Sequence, residues 1–195
     1  MGMGKGVVPG EVGPERVGRV NPRGAGGIGL SGGDGPTLLV RRRTDAGGAD
    51  LGFVGDVAQV NPEPLMAILD QGRIPVMASI GLGYDGQAYN VNADTVAAEL
   101  AVALRASKLI LMTDVEGVRD AQGALISELD AVRGRELLAI GVIRDGMIPK
   151  IEAAIRATDG GSATHIIDAR VPHALLLELL TERGVGTMIT RPEPA

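Results

Sequence analysis

The sequence predicts an α/β fold, specifically a three-layer αβα sandwich built around an open, mainly parallel sheet. Apolar segments typical of strands alternate along the chain with segments typical of amphipathic helices, and this alternation favours parallel strands joined by helical crossovers. Gly and Pro residues lie between these segments, where they end one element and allow the next to start. Hydrophobic residues make up 45% of the 195-residue chain, which is enough for a sizeable core.

The N-terminal segment 1–36 differs from the rest of the chain, since it holds 13 of the 30 Gly and 4 of the 11 Pro. Within it, the stretch 29–36 (GLSGGDGP) is typical of a strand that ends in a tight turn. That stretch lacks the Lys-Ser/Thr ending of a P-loop. The pattern becomes regular from residue 37, which predicts one domain over 37–195 preceded by a separate Gly/Pro-rich segment.

Each later element follows from its local pattern. Runs rich in Val, Ile and Leu predict strands at 37–43, 51–60, 73–82, 88–91, 107–115, 163–168 and 186–190. Apolar residues at helical spacing predict helices at 62–72, 94–106, 130–140, 149–161 and 172–184. Pro149 at a helix start and Gly160 at its end are typical boundary residues. Asp85 and Gly86 form a turn that makes 88–91 the hairpin partner of the preceding strand.

Composition and charge exclude several classes of function. The chain has no Cys, which rules out disulfides, thiolate metal sites and Cys nucleophiles, and its two His cannot build a His-rich metal site. We therefore expect no metal site made by the protein alone. A net charge of −5 and only three aromatic residues argue against a nucleic-acid partner. Neither a signal peptide nor an apolar run of ~18 residues is present, so we expect a cytoplasmic protein without a membrane partner.

The stretch YNVNADT places Asn90, Asn92 and Asp94 between a predicted strand and a predicted helix. Asn and Asp are favoured helix caps, and this interpretation fits Asn92 or Asp94. Asn90 lies too early to cap, and the start of a helix after a buried strand is where open α/β sheets bind ligands. From these residues alone, a cap and a substrate site are equally well supported.

The stretch RDGMIPKIEAAIRA places Lys150 directly after Pro149, in the first turn of a helix. A cation there opposes the positive end of the helix dipole, which is understandable if an anion such as phosphate occupies the site. Gly146 permits an unusual backbone turn just before the helix. The alternative is an exposed Lys that extends into water, and we favour the anion site.

The stretch KLILMTDVEGV ends a strand at Thr113 and Asp114 and continues into a turn that contains Gly117. Polar groups at the carboxyl end of a strand are typical of ligand-binding loops in α/β proteins. Asp and Gly also build ordinary turns, so this signal is weak by itself.

Together with DLGFVGDV, GMIPKIEA and HIIDARVPHALLLELLTERGVGTMI, these motifs occur in the order and approximate spacing of the acetylglutamate kinases, a branch of the amino acid kinase family. The resemblance extends from about Gly29 to Ile189. It implies an N-terminal lobe that binds the amino acid and a C-terminal lobe that binds ATP. It also implies phosphorylation of the γ-carboxylate of N-acetyl-L-glutamate in arginine biosynthesis, with ATP and Mg²⁺.

The resemblance implies roles for individual residues. Asn90 would hold the α-carboxylate end of acetylglutamate. Lys150 would stabilise the transferring phosphoryl group and Asp94 would orient the lysines, which makes these two the catalytic residues. Segment 113–146 would supply much of the adenine and ribose site. The implied nucleotide-binding residues are Thr113, Asp114, Gly117, Gly146, Met147 and Lys150.

The first part of the chain departs from the family pattern. The family begins with a strand carrying K-x-G-G, and a G-G-G-P loop and a substrate-binding Arg follow; Lys5–Gly6 is not followed by the required strand. We therefore expect 1–36 to be a remnant of the substrate lobe, the sheet to be incomplete at the N-terminus, and kinase activity to be impaired. The alternatives are an inactive nucleotide-binding remnant and an aminoadipate-type carboxylate kinase of lysine biosynthesis. A homo-oligomer is compatible with the resemblance, although the family's dimer uses parts of the N-terminal lobe.

Overall fold

The computed structural model describes residues 21, 24, 26–45, 47–181 and 184–191. Its contacts divide the chain into two compact units, Met1–Val96 and Ala97–Ala195. Most of segment 1–36, Lys5 included, lies outside the described residues. The assignment of that segment to a substrate-lobe remnant therefore stays a prediction.

The first unit has six strands and one helix among its described residues. The strands are β1 (Gly27–Leu30), β2 (Leu38–Thr44), β3 (Asp50–Val60), β4 (Ile74–Met77), β5 (Ile80–Gly83) and β6 (Ala88–Asn90), and the helix is α1 (Glu63–Leu69). β1 and β4 pair in parallel, whereas β2, β3, β6 and β5 close into a barrel. β5 and β6 form the predicted hairpin, with Ile80 opposite Asn90.

Closure of the barrel depends on a close approach of β5 to β2 at Gly81. A Cβ at this position would lie 2.2 Å from Cγ1 of Val40, so only Gly allows the two strands to pass this near. Val40 is fully buried and Tyr89 of β6 is 2% exposed. The Tyr89 hydroxyl donates to Oδ2 of Asp85 at 2.6 Å, which ties the turn of the hairpin to the barrel.

The prediction of a single buried strand over 73–82 is wrong, because the structure has two strands there. β4 pairs with β1, whereas β5 pairs with β2 and β6. The chain changes sheets at Ala78 and Ser79: the N–H of Ala78 donates to the Leu30 carbonyl at 2.8 Å, and the Ser79 carbonyl accepts from the N–H of Val91 at 2.9 Å. Neither strand is buried along its whole length. An unbroken apolar run cannot reveal this change of partner.

The second unit is built on a four-stranded sheet. Its strands are β7 (Lys108–Thr113), β8 (Glu128–Asp130), β9 (Ala163–Asp168) and β10 (Thr187–Thr190), in the order β7-β9-β10-β8. Its helices are α2 (Ala93–Ala103), which spans the division between the units, α3 (Ala131–Ala139), α4 (Met147–Asp159) and α5 (Ala174–Leu180). The sequence predicts all of these elements except β8, which is only three residues long.

Adjacent residues of β9 contact helices on opposite faces of this sheet. The Thr158 hydroxyl of α4 lies 3.2 Å from the hydroxyl of Thr164, and Oε1 of Glu178 on α5 lies 2.6 Å from Nδ1 of His165. Because successive side chains of a strand point to opposite faces, α4 and α5 cover the two faces of the sheet. Five of the eight strand pairings among the described residues are parallel. The predicted α/β sandwich with a mainly parallel sheet is thus confirmed.

The core of the second unit is aliphatic, as the scarcity of aromatic residues predicts. Ile151, Ile166 and Ile189 are fully buried at its centre. Leu137 is buried and Leu138 is partly buried against the same cluster, on the side of α3 that the sequence predicts. None of the helices in the described ranges has both the length and the apolar character needed to cross a membrane.

Candidate functional site

In the first unit, Asn90 and Asp94 lie on either side of the junction between β6 and α2. Asn90 is the last residue of β6 and is paired with Ile80 of β5 and Val54 of β3. These pairings fix its backbone on two sides, and the residue is exposed. Asp94 is half-buried in the first turn of α2, where a carboxylate interacts favourably with the helix dipole.

The cap of α2 is Asn92. Its Oδ1 accepts from the N–H of Thr95 at 3.0 Å, and its carbonyl accepts from the N–H of Val96 at 3.0 Å. The sequence leaves open which polar residue of this stretch caps the helix, and the structure assigns that task to Asn92. The substrate role of Asn90 and the catalytic role of Asp94 stay predictions.

In the second unit, the helix that carries Lys150 begins at Met147, two residues earlier than the sequence predicts. Pro149 is therefore the third residue of α4 and does not open the helix. The predicted unusual turn at Gly146 is also wrong, because its φ is −63°, whereas Asp145 has a φ of +50°. Asp tolerates the left-handed region better than most residues do, so this turn forms without Gly.

The start of α4 has few backbone donors left for an anion. The N–H groups of Met147 and Ile148 both donate to carbonyls of the preceding loop at 3.1 Å, and Pro149 has no N–H. An anion at this end would depend on the half-buried side chain of Lys150 more than on a row of backbone N–H groups. The anion site stays a prediction, with Lys150 Nζ as its main donor.

Thr113 and Asp114 lie where two neighbouring parallel strands end. Thr113 is in register with Asp168 of β9, and its carbonyl accepts from the N–H of Ala169 at 2.7 Å. Asp114 is exposed, and the Thr113 hydroxyl lies 3.3 Å from its Oδ1. Polar residues from two parallel strands thus meet at their carboxyl ends, which is the place where open α/β sheets bind ligands.

Asp168 and Arg170 belong to the same edge, although neither is among the site residues predicted from the sequence. Asp168 is 6% exposed and accepts from the backbone N–H of Arg170 at 2.8 Å and from its guanidinium at 2.8 and 2.9 Å. These hydrogen bonds hold the pKa of the Asp168 carboxyl below its usual value. Asp168 in turn raises the pKa of Arg170, with smaller contributions from Asp114 and Glu116. A polar residue at the carboxyl end of an apolar strand was the available signal for Asp168, since the same pattern indicates Thr113 and Asp114.

Gly117 packs against Thr187, at the start of β10. Its φ is +154°, and a Cβ would lie 2.5 Å from the hydroxyl of Thr187. The N–H of Val118 donates to that hydroxyl at 2.8 Å. No local pattern indicates Thr187, because it is 69 residues from Val118 along the chain.

A buried ionisable pair lies on the α5 face of the sheet. His165 and Glu178 are 7% and 5% exposed, with 2.6 Å between Nδ1 and Oε1. Burial lowers the pKa of His165, against the opposing effect of Glu178. Nε2 of His165 is buried without a hydrogen-bond partner, which fits a neutral ring with its proton on Nδ1, because a protonated ring would have a buried N–H donor there.

These features define an α/β protein whose candidate site lies at the carboxyl ends of parallel strands. The chain belongs to the amino acid kinase family, whose family model matches residues 10–168.

Curated relatives with this similarity are acetylglutamate kinases. The chain is 47% identical to that of Methanothrix thermoacetophila over 192 residues, which is 94% of this chain and 66% of the relative. It is 50% identical to that of Synechococcus sp. (strain RCC307) over 187 residues, 94% of this chain and 62% of the relative. The chain therefore spans slightly less than two thirds of the length of these relatives.

Solved structures show the same fold. The structure of smu.665 from Streptococcus mutans UA159 aligns with a TM-score of 0.75 at 32% identity, covering 90% of this chain and 65% of that one. The N-acetylglutamate synthase from Neisseria gonorrhoeae, complexed with coenzyme A and L-arginine, aligns with a TM-score of 0.74 at 28% identity, covering 84% of this chain and 38% of that one.

Proposed function

We propose that this chain is a cytoplasmic acetylglutamate kinase of arginine biosynthesis, which transfers the γ-phosphoryl group of MgATP to the γ-carboxylate of N-acetyl-L-glutamate. The observation that carries the proposal is the 47% identity to an acetylglutamate kinase over 94% of the chain. Polar residues at the carboxyl ends of β7 and β9 add support, because that edge is where α/β sheets bind ligands.

The reaction needs positive charge and positioning more than proton transfer. An oxygen of the γ-carboxylate attacks the γ-phosphorus of ATP, and the bond from that phosphorus to the β,γ-bridging oxygen breaks. The products are an acyl phosphate and ADP. The attacking carboxylate is already ionised at neutral pH, so no general base is required. We assign to Lys150 the stabilisation of the negative charge on the transferring phosphoryl group.

The remaining roles divide between the two units. We assign Asn90 of the first unit to the α-carboxylate end of the substrate, and we keep Asp94 of that unit as a catalytic residue. In the second unit, we assign the residues around the ends of β7 and the start of α4 to the nucleotide: Thr113, Asp114, Gly117, Gly146, Met147 and Lys150. Their backbones are held by strand pairing at Asn90 and Thr113 and by the start of a helix at Met147.

Mg²⁺ enters this proposal as part of the substrate MgATP. Among the described residues, no three His, Asp or Glu side chains form a group that could hold a metal ion. Mg²⁺ in ATP-dependent enzymes is held largely by substrate phosphates and water. We therefore name no residue of this chain as a metal ligand.

A coupled assay with MgATP and N-acetyl-L-glutamate tests the proposal. Lys150→Ala is expected to reduce kcat by about 10²–10³-fold, the usual effect of losing one preorganised donor to the transition state. Lys108→Ala is the matched control, because it makes the same change of charge in the same unit at a residue outside the proposed site. Circular dichroism of all three proteins establishes that each is folded.

Three results would count against the proposal. Turnover that survives Lys150→Ala would remove Lys150 from the catalytic role. ATP binding without phosphorylation of acetylglutamate would favour a nucleotide-binding protein, and turnover of an aminoadipate derivative alone would favour the lysine-biosynthetic kinase. The homo-oligomer stays a separate prediction, which size-exclusion chromatography with light scattering tests.

A further inference from the structure

The loop that follows β7 is anchored at both of its ends. Thr113, before the loop, is paired with β9 and accepts a hydrogen bond from Ala169. Val118, after the loop, is bound through its N–H to the hydroxyl of Thr187. Residues 114–116 between these anchors are exposed. A short loop fixed at both ends presents its polar atoms in one arrangement before any ligand binds.

The hydroxyl of Thr187 also holds the far end of the next segment, 118–126. It accepts from the N–H of Val118 at 2.8 Å and donates to the carbonyl of Ile126 at 2.6 Å. The N–H of Ile126 in turn donates to the carbonyl of Val118 at 2.8 Å. Thr187 is 1% exposed, so water does not readily replace these bonds. Loss of the hydroxyl would leave a buried N–H without its acceptor and a carbonyl without this donor.

Two glycines allow the loop to approach β10 this closely. A Cβ on Gly117 would lie 2.5 Å from the Thr187 hydroxyl and 3.1 Å from the backbone nitrogen of Thr187. A Cβ on Gly186 would lie 3.2 Å from the carbonyl oxygen of Glu116. The position of the loop is therefore set by contacts with the residues at the start of β10, a strand that is distant in the sequence.

We infer that Thr187 is a positioning residue for nucleotide binding, whose hydroxyl preorganises the loop 114–117 for ATP. The inference rests on the proposed role of this loop in binding the nucleotide. A loop that is already ordered loses less conformational freedom on binding, which increases affinity. Thr187 itself is buried under the loop and does not need to touch the nucleotide.

Three variants test the inference by calorimetric titration of the 195-residue protein with MgATP. Thr187→Val keeps the shape but removes the hydroxyl and both of its hydrogen bonds, and is expected to weaken binding about tenfold, which corresponds to about 1.4 kcal/mol of lost preorganisation. Thr187→Ser keeps the hydroxyl and should restore binding. Thr158→Val is the matched control: Thr158 is 1% exposed, and its hydroxyl contacts that of Thr164 at 3.2 Å and the carbonyl of Ile189 on β10 at 3.4 Å, instead of the Val118 N–H and the Ile126 carbonyl. It should lower the melting temperature without changing the affinity.

Hydrogen exchange supplies the readout that a general loss of stability would not give. In Thr187→Val the amide of Val118 should exchange faster, whereas in Thr158→Val its exchange should change no more than that of other amides in the unit. Equal affinity of Thr187→Val and the parent protein would overturn the inference while the proposed function stands. A parent protein that does not bind MgATP would overturn both, and the titration of the parent alone distinguishes that outcome.

Discussion

Acidification from pH 7 towards pH 5 is expected to destabilise this protein through His165, which is buried beside Glu178. Burial holds the pKa of His165 below its usual value of 6.5. The charged groups that face the ring are Glu178 of α5 and, more distantly, Lys108 of β7, and its neighbour on β10 is the uncharged Met188. As the pH falls, the unfolded chain therefore takes up the proton before the folded chain does. The stability that His165 provides is complete above its unfolded pKa and is lost as the pH falls through its folded pKa.

The size of this effect has a clear upper limit. One proton bound by the unfolded chain and not by the folded chain changes the free energy of unfolding by at most about 1.4 kcal/mol per pH unit. Urea unfolding between about pH 7.5 and about pH 5.5 measures that slope. His165→Asn is the comparison variant, because its side-chain amide can still donate to Glu178 but does not titrate. The other titrating groups are the same in both proteins, so the difference between the two slopes reports the titration of His165.

Equal slopes in the two proteins would refute the reasoning, since they would mean that the pKa of His165 does not change on folding. A parent protein that gains stability relative to His165→Asn on acidification would refute it more directly. That result would mean that the folded protein holds a charged imidazolium paired with Glu178. The buried and unpartnered Nε2 argues for the neutral ring.

Two further predictions concern a helix cap and a close backbone contact, and urea unfolding measures both. Asn92→Ala should cost about 1 kcal/mol, because it removes the side-chain acceptor at the start of α2. Asn90→Ala is the control and should lower the free energy of unfolding clearly less than Asn92→Ala does. An equal loss in the two variants would show that capping is not the cause. Gly186→Ala should cost at least about 3 kcal/mol, because its φ is +144° and the new Cβ would lie 2.1 Å from a backbone carbonyl oxygen. Gly146→Ala is the control and should change the free energy of unfolding by less than about 0.5 kcal/mol, because Gly146 has a φ of −63° and no atom lies within 4 Å of the added Cβ. A Gly186→Ala protein as stable as the parent would contradict the close contact at Gly186.

Most of the elements could be predicted from the sequence because their signals are local. The Asp85–Gly86 turn predicts the β5–β6 hairpin, and the apolar spacing predicts α3 with Leu137 on its buried side. The error over 73–82 has a physical reason: β4 and β5 are both apolar, and only their partners in two different sheets separate them. β8 escaped prediction because three residues are too few to show a period, and because its partner is the distant β10, whereas the equally short β6 pairs with β5 across a recognisable turn.

Only part of the candidate site could be predicted from local sequence patterns. Thr113 and Asp114 could be identified because they lie at the end of an apolar strand, and the position of Thr113 beside Asp168 follows from the parallel register of β7 and β9. The start of the helix that carries Lys150 was predicted two residues too late, because α4 begins at Met147 and not at Pro149. Pro is tolerated at several positions of the first turn, so it does not by itself mark the first helical residue.

The sequence alone therefore determined the class of fold, the aliphatic character of the core and the motifs that relate the chain to its family, since all of these are recorded in the order and type of neighbouring residues. Only the tertiary structure decided whether Asn92 or Asp94 caps α2, and which buried groups hold the loop after β7. Thr187 and Val118 are 69 residues apart, and their hydrogen bond exists because β10 returns to lie beside β8 and β9. Contacts of this kind depend on which strands become neighbours in the sheet, and no local pattern in one sequence specifies that choice.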